Sequence, residues 1–201
     1  MGIKADDSRS KEDSRNDQKG KYVFTTKRHS AFEKAILPHL DAAHNLARWL
    51  TRNDQDAEDV VQEACVRALK YFAGYHGGDS KAWLLAIVRN TSYTHLRRYR
   101  SHELTLPFDD DILNLVSDAY NPETLFLKSV EVAEMEHALE TLPVEFREVI
   151  VLREMEGLSY KEIAEVSDIP VGTVMSRLAR ARRRLQRCLS DSYAKGTHRE
   201  L

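Results

Sequence analysis

The side chains with most chemical potential crowd one stretch near the end of the chain. Arg177, Arg180, Arg182, Arg183, Arg184 and Arg187 lie between Pro170 and Leu189, with no acid among them. Guanidinium groups at this density neutralise phosphates, and from the start of a groove-seated helix they reach guanine edges. A solvated basic helix carries the same charge pattern, so the element around the arginines has to separate the two readings. Ser159 begins a Ser-x-x-Glu capping box with Glu162, and Leu158 and Ile163 stand at hydrophobic-staple spacing. Ile163, Ala164 and Ile169 are expected to face inward, and Pro170 suits the first turn of a second helix. In that helix Val174, Leu178, Ala181 and Leu185 make one apolar stripe. Helix, tight turn and one-sign helix together predict a helix-turn-helix, which sets the start of its second helix in the DNA major groove.

Two further constellations lie upstream. After Asn53-Asp54 a helix is expected with Ala57, Val60, Val61, Ala64, Cys65, Ala68, Leu69 and Phe72 on its apolar face. Asp56, Asp59, Gln62 and Glu63 occupy the other face. Acids there complement the helix dipole or form a protein-docking surface, and the pattern leaves both open. Cys65, on the apolar face, reads as a small core residue. Residues 73–79 form a glycine-rich break with two exposed-looking rings, Tyr75 and His76. A third helix opens after Asp79-Ser80 and runs to about Arg100, burying Leu84, Ile87, Val88 and Thr91 with Trp83 at one margin. Its outer side carries Lys81, Arg89, Asn90, Tyr93, Arg97, Arg98, Tyr99 and Arg100. Cations for phosphates and rings for unstacked bases suit a single-stranded nucleic acid. A capped core helix with a basic last turn is the plainer alternative.

Elsewhere the residues argue against bond chemistry. Asp109, Asp110 and Asp111 stand without partner ligands at useful spacing, so they read as a solvated acidic segment, and a nuclease built on them lacks its second ligand group. Cys65 and Cys188 have no zinc spacing to any histidine, and the eight histidines are scattered. No catalytic triad, phosphate loop, cofactor motif or metal cluster is present in the sequence. The reading is therefore a non-enzyme with no cofactor. Two cysteines, no signal-peptide core and no apolar run near ~20 residues point to a cytoplasmic protein without membrane insertion.

A length of 201 residues allows one or two domains, and 31% charged residues with a net charge of −2 are ordinary for a soluble protein. The expected class is all-α: two helical domains joined by a flexible acidic linker. Residues 1–21, charged and with little to bury, read as a disordered tail. Residues 22–100 form the first domain, where Pro38 should kink or divide a helix patterned by Phe32, Ile36, Leu40, Ala43, Ala47 and Leu50. Residues 101–122, with Pro107 and Asn121-Pro122, are the linker. Residues 123–189 make a four-helix domain. Its stripes are Val132, Met135, Leu139 and Leu142, ending at Pro143, then Phe146, Val149, Ile150 and Leu152, ending at Gly157. Residues 190–201 are a tail.

Residues 32–189 resemble the extracytoplasmic-function (group IV) sigma factors of bacterial RNA polymerase, within the sigma-70 family. DAEDVVQEACVRAL at 56–69 resembles a region-two helix, and KAWLLAIVRNTSYTHLRR at 81–98 the adjoining promoter-melting helix. LETLPVEFREVIVLREMEGLSYKEIAEVSDIPVGTVMSRLARARRRL at 139–185 is similar to region four. The resemblance implies a non-enzymatic factor that binds core polymerase, recognises −35 and −10 promoter elements and promotes melting, often in stress-responsive transcription. Asp56, Asp59, Gln62 and Glu63 would dock on the clamp helices of the largest polymerase subunit, and the flap region of core polymerase is a further implied partner. The loop with Tyr75, His76, Asp79, Ser80 and Lys81 would capture a flipped −10 base, with Arg89, Asn90 and Arg97 on the following helix. Flipping costs a few kcal/mol of unstacking, which the pocket and phosphate contacts must offset. Thr173, Met175, Ser176, Ala179 and Arg180 would face the −35 groove, while Arg177, Arg183 and Arg184 hold phosphates. The linker would run through the RNA exit path, and an anti-sigma factor is the implied regulator. Ser167-Asp168 departs from the apolar-glycine pair usual at the turn, although Asp adopts a left-handed conformation more readily than most residues. The charged tail at 1–21 is a second departure. A conventional dimeric operator-binding regulator is the runner-up, against which the region-two-like half argues.

Overall fold

The structure, a computed structural model, describes residues 29–103 and 130–196, and among them every regular element is helical. The tail expected over 1–21, the Asp109–Asp111 run and nearly all of the expected linker lie outside the described residues. The chain divides into two compact units, Met1–Pro38 and His39–Leu201. In the first, α1 covers residues 29–36. A 3-10 turn at Leu37–His39 then interrupts the helix at Pro38, as the missing N–H and bulky ring of proline require.

The second unit holds α2 (Leu40–Thr51), α3 (Asp54–Tyr71), α4 (Ser80–Glu103), α5 (Val130–Glu140), α6 (Val144–Ile150), α7 (Tyr160–Ser167) and α8 (Val171–Gly196). Helices α2, α3 and α4 pack mutually over Leu46, Leu50, Val60, Leu84, Leu85 and Val88. Ala43, Ala47, Ala57, Ala64 and Ala68 are fully buried among them, and small side chains let helix axes approach closely. The chain leaves α2 through Arg52 in a left-handed conformation (φ 61°), and Asn53 caps α3 by accepting the Asp56 N–H at 3.0 Å.

Helices α5, α6 and α7 gather round α8, burying Leu139, Leu142, Val149, Leu152, Ile163, Val174, Leu178 and Ala181. Helix α6 continues as a π-helical turn over Val151–Met155, and Gly157 then reverses the chain at φ 73°. Helix α8 runs on past Leu189 to Gly196, beyond the point where the sequence pattern ended it. Helix α4 also packs against α7, and α2 against α6, so the two helical groups meet directly.

Two helices differ from the sequence reading. In α4, Leu85 is fully buried while Ile87 is only partly so. On α3, Leu69 is exposed and Cys65 half-buried. Burial on α3 narrows to the single stripe of Ala57, Val60, Ala64 and Ala68, whereas α4 is packed by α2 and α3 and by α7 and has no single stripe.

Candidate nucleic-acid interface

The capping box predicted at α7 is formed. The Glu162 N–H donates to the Ser159 hydroxyl at 3.3 Å, and the Ser159 N–H donates to the Glu162 carboxylate at 2.6 Å. Those bonds from Ser159 hold the Glu162 carboxyl below the ordinary carboxylate range. Leu158 and Ile163 are both buried, as a staple needs. At the turn, Asp168 takes up a left-handed conformation at φ 53°, ψ 51°, so aspartate serves where glycine is commoner. The Ile169 N–H then closes the turn on the Ala164 carbonyl at 3.1 Å.

Burial of Val174, Leu178 and Ala181 fixes how α8 is rotated, with Leu185 half-buried. Met175, Ser176, Ala179, Arg180, Arg183 and Arg184 are thereby exposed, whereas Thr173 and Arg177 are half-buried. The Ser176 hydroxyl donates back to the Thr173 carbonyl at 3.0 Å. Arg184 lies over the Phe146 ring at 5.1 Å, and Arg182 is paired with Glu154 at 2.7 Å, which raises the Arg182 pKa. Among the described residues, Arg180 and Arg183 have no such contact, and both are exposed.

The loop before α4 is built around Asp79. Its carboxylate accepts the backbone N–H groups of Lys81 (2.8 Å) and Ala82 (3.2 Å), an N-cap arrangement that satisfies otherwise orphaned donors. Gly77 and Gly78 follow each other at φ 93° and 107°, a conformation that nearly demands glycine. Tyr75 is not the free ring its sequence context suggests. It stacks on Phe72 at 5.7 Å, leans on Trp83 at 5.0 Å and donates its hydroxyl to the Gly78 carbonyl at 2.7 Å. His76 is exposed at the loop tip, and Ser80 shares a 3.0 Å hydrogen bond with His39.

Along α4, Asn90 and Arg97 are exposed. Lys81 and Arg89 are not free. Lys81 meets the Glu156 carboxylate at 3.0 Å and its backbone carbonyl at 2.8 Å. Arg89 meets Glu148 at 3.0 Å and lies over the Tyr93 ring at 4.6 Å, and the Tyr93 hydroxyl donates to Glu148 at 2.6 Å. Burial first, and the adjacent Glu148 next, push the Tyr93 pKa up. The structure therefore brings Lys81 and Arg89 of α4 onto Glu156 and Glu148 of the C-terminal half, and leaves Arg97 exposed.

The acidic residues of α3 separate into two settings. Asp59 and Gln62 are exposed, and Glu63 is half-exposed beside Arg67 on its own helix. Asp56 instead turns towards α4, 3.3 Å from His95.

Sequence reasoning missed the consecutive pair Arg147 and Glu148, which are both buried. The Arg147 guanidinium donates to the carbonyls of Leu139 (3.1 Å), Glu140 (3.2 Å) and Leu142 (2.8 Å), and across to Trp49 on α2 (2.6 Å). It thus satisfies carbonyls that helix ends leave unpaired. Desolvation, with Arg52 nearby, lowers its pKa. The available signal was a charged pair placed inside the apolar run Phe146–Leu152. Among the described residues no cluster of histidine, cysteine or carboxylate side chains could hold a metal, and no helix is long and apolar enough to cross a membrane.

Comparison with known proteins places this geometry. Residues 35–102 match the sigma-70 region 2 family and residues 133–185 the sigma-70 region 4 family, together more than half of the chain. The chain is 36% identical over 148 residues to the ECF RNA polymerase sigma-E factor of Escherichia coli K12, covering 69% of this chain and 78% of that protein. It is 35% identical over 157 residues to the ECF RNA polymerase sigma factor SigE of Mycolicibacterium smegmatis, covering 78% of this chain and 60% of that longer relative. A solved sigma factor RpoE from Bartonella quintana, in complex with the anti-sigma factor NepR, matches with a TM-score of 0.67 and 32% identity over 80% of this chain and 97% of that one. With both sigma regions matched in order along it, the chain belongs to the extracytoplasmic-function sigma factors of the sigma-70 family, transcription-initiation factors and not enzymes.

Proposed function

We propose that this chain binds core RNA polymerase in the cytoplasm, reads a −35 element with α8 and a −10 element with the loop and outer face of α4, and holds the melted non-template strand. The observation that carries this reading is the exposed face of α8, where Arg180 and Arg183, without an ion-pair partner among the described residues, stand beside Met175, Ser176 and Ala179. Thr173 and Arg180 serve the groove, and Arg177, Arg183 and Arg184 the phosphates. His76, Asn90 and Arg97 are the accessible groups for the −10 strand, with Tyr75, Asp79 and Ser80 shaping the loop and Lys81 and Arg89 supplying cations. Residues 22–100 act as the polymerase- and −10-binding domain, 101–122 as linker and 123–189 as the −35-binding domain.

Asp59, Gln62 and Glu63, with Asp56 at the edge, form the surface for the polymerase clamp helices. Because the similar Bartonella quintana sigma factor is described with an anti-sigma partner, an anti-sigma factor is also proposed here. The test is co-purification with core polymerase. Asp59→Lys with Glu63→Lys should leave the fold intact, since an exposed substitution shifts stability by roughly ±0.5 kcal/mol and exchanging the Glu63–Arg67 pair for a like-charge i,i+4 pair costs only about as much again. The reversed charges oppose a basic partner, where like-charge juxtaposition costs several kcal/mol, so the double variant should be lost from the polymerase fraction. A folded double variant that co-purifies like the wild type overturns the docking assignment.

A further inference from the structure

We propose that Met175, with Ala179 one turn on, reads the 5-methyl group of a thymine in the −35 element, so that this chain selects a box in which a thymine edge meets the apolar part of α8. Methyl recognition rests on the reading that α8 faces the −35 groove. Helix α8 carries two apolar stripes. Val174, Leu178 and Ala181 are buried and face the core. Val171, Met175 and Ala179 repeat at four-residue steps on the outside, so they share a side of the helix, and all three are exposed, Met175 at 54%. A single exposed apolar residue is ordinary. This stripe, however, occupies the first turns of the second helix of a helix-turn-helix, the part that such a motif sets against base edges.

The surroundings of the stripe select its occupant. No acid lies between Pro170 and Leu189, and Arg180 and Arg183 are exposed close by, so the surface suits a polyanion better than an apolar protein face. In the major groove the base edges offer donors and acceptors, and the one apolar group among them is the thymine methyl. Ser176 and Arg180 follow Met175 on the exposed side and can meet the polar edges. The Ser176 hydroxyl donates to the Thr173 carbonyl at 3.0 Å, which leaves its oxygen as an acceptor. The Met175 thioether has no proton to donate, and its unbranched, polarizable chain adapts to an irregular apolar surface. Contact with a methyl group removes both from water.

The experiment uses the full chain with core polymerase. An upstream box is first enriched from promoter fragments randomised in that region alone. Each thymine of the enriched box is then replaced in turn by deoxyuridine, which deletes the methyl and keeps the pairing edge. For the wild type, one such replacement should weaken binding about fourfold, the equivalent of roughly 0.8 kcal/mol for one buried methylene-sized group. Met175→Gln, at an exposed position and of similar length, should fold like the wild type by circular dichroism and bind both bases alike, while Met175→Leu should keep the discrimination. If no thymine of the box responds, or if the response persists in Met175→Gln, methyl recognition by this residue is overturned and the −35 reading stands. If the wild type enriches no upstream box, the −35 reading is overturned and methyl recognition falls with it.

Discussion

Arg180 and Arg183 occupy one helix, both exposed and both without an acidic partner among the described residues, yet they differ in distance from the start of α8. On the proposed reading, the residue nearer the start would reach base edges and the one further along would follow the backbone. Arg180→Ala should cost about 1–3 kcal/mol on a selected −35 duplex and little on a scrambled one. Arg183→Ala should weaken both duplexes alike and reduce the salt slope by about 1. Equal losses from both variants on both duplexes, in titrations across a salt series, would remove the distinction. At α7, Ser159→Ala removes one half of the capping box and should cost roughly 0.5–2 kcal/mol at neutral pH. Its partner Glu162 has a lowered pKa, so the stabilisation is fully present above the ordinary carboxylate range and lost as pH falls through the lowered value. The gap in melting temperature between wild type and Ser159→Ala should therefore be wide at pH 7 and narrow in strong acid. A gap that widens in acid contradicts the sign.

Local signals made several elements legible. The Ser159–Glu162 box, the break at Pro38 and the α8 stripe each depend on residues within a turn or two, and each appears where the spacing put it. Helix α4 was harder because it is packed on two sides, by α2 and α3 and by α7, so it has no single stripe to read. Tyr75 looked like a free ring because its neighbours are glycines, but Phe72 and Trp83 come from the flanking helical turns to enclose it. The resemblance places Asp79 in the DNA-facing loop, and its carboxylate also caps α4, a local role that the motif does not state. Asp79→Ala should accordingly destabilise the fold by about 0.5–2 kcal/mol, with Asp79→Asn nearer to neutral. Thermal melting of the two variants checks this, and equal losses would contradict a capping role. Replacing residues 75–78 with the loop of a sigma factor of different specificity, with Asp79 kept, should change the preferred downstream box only. A selection that returns the original downstream box would count against base capture in that loop.

On the scale of the whole molecule, the meaning of Arg147 and Glu148 comes from helices far away in sequence. Trp49, Arg89 and Tyr93 lie on α2 and α4, and no local pattern states that these helices meet α6. What the pattern did carry was the order of parts: an acidic face on α3, a basic and aromatic face on α4, then a one-sign recognition helix. An operator-binding regulator uses the last of these alone, whereas an initiation factor needs all of them on one chain. Run-off transcription by core polymerase with this chain, on a library of random promoters, tests that requirement most directly. Transcribed templates should be enriched in two short boxes at a fixed spacing, and transcription should depend on adding the chain. Transcripts that arise equally without the chain, or templates enriched in a single operator-like box with no start site downstream, would contradict it.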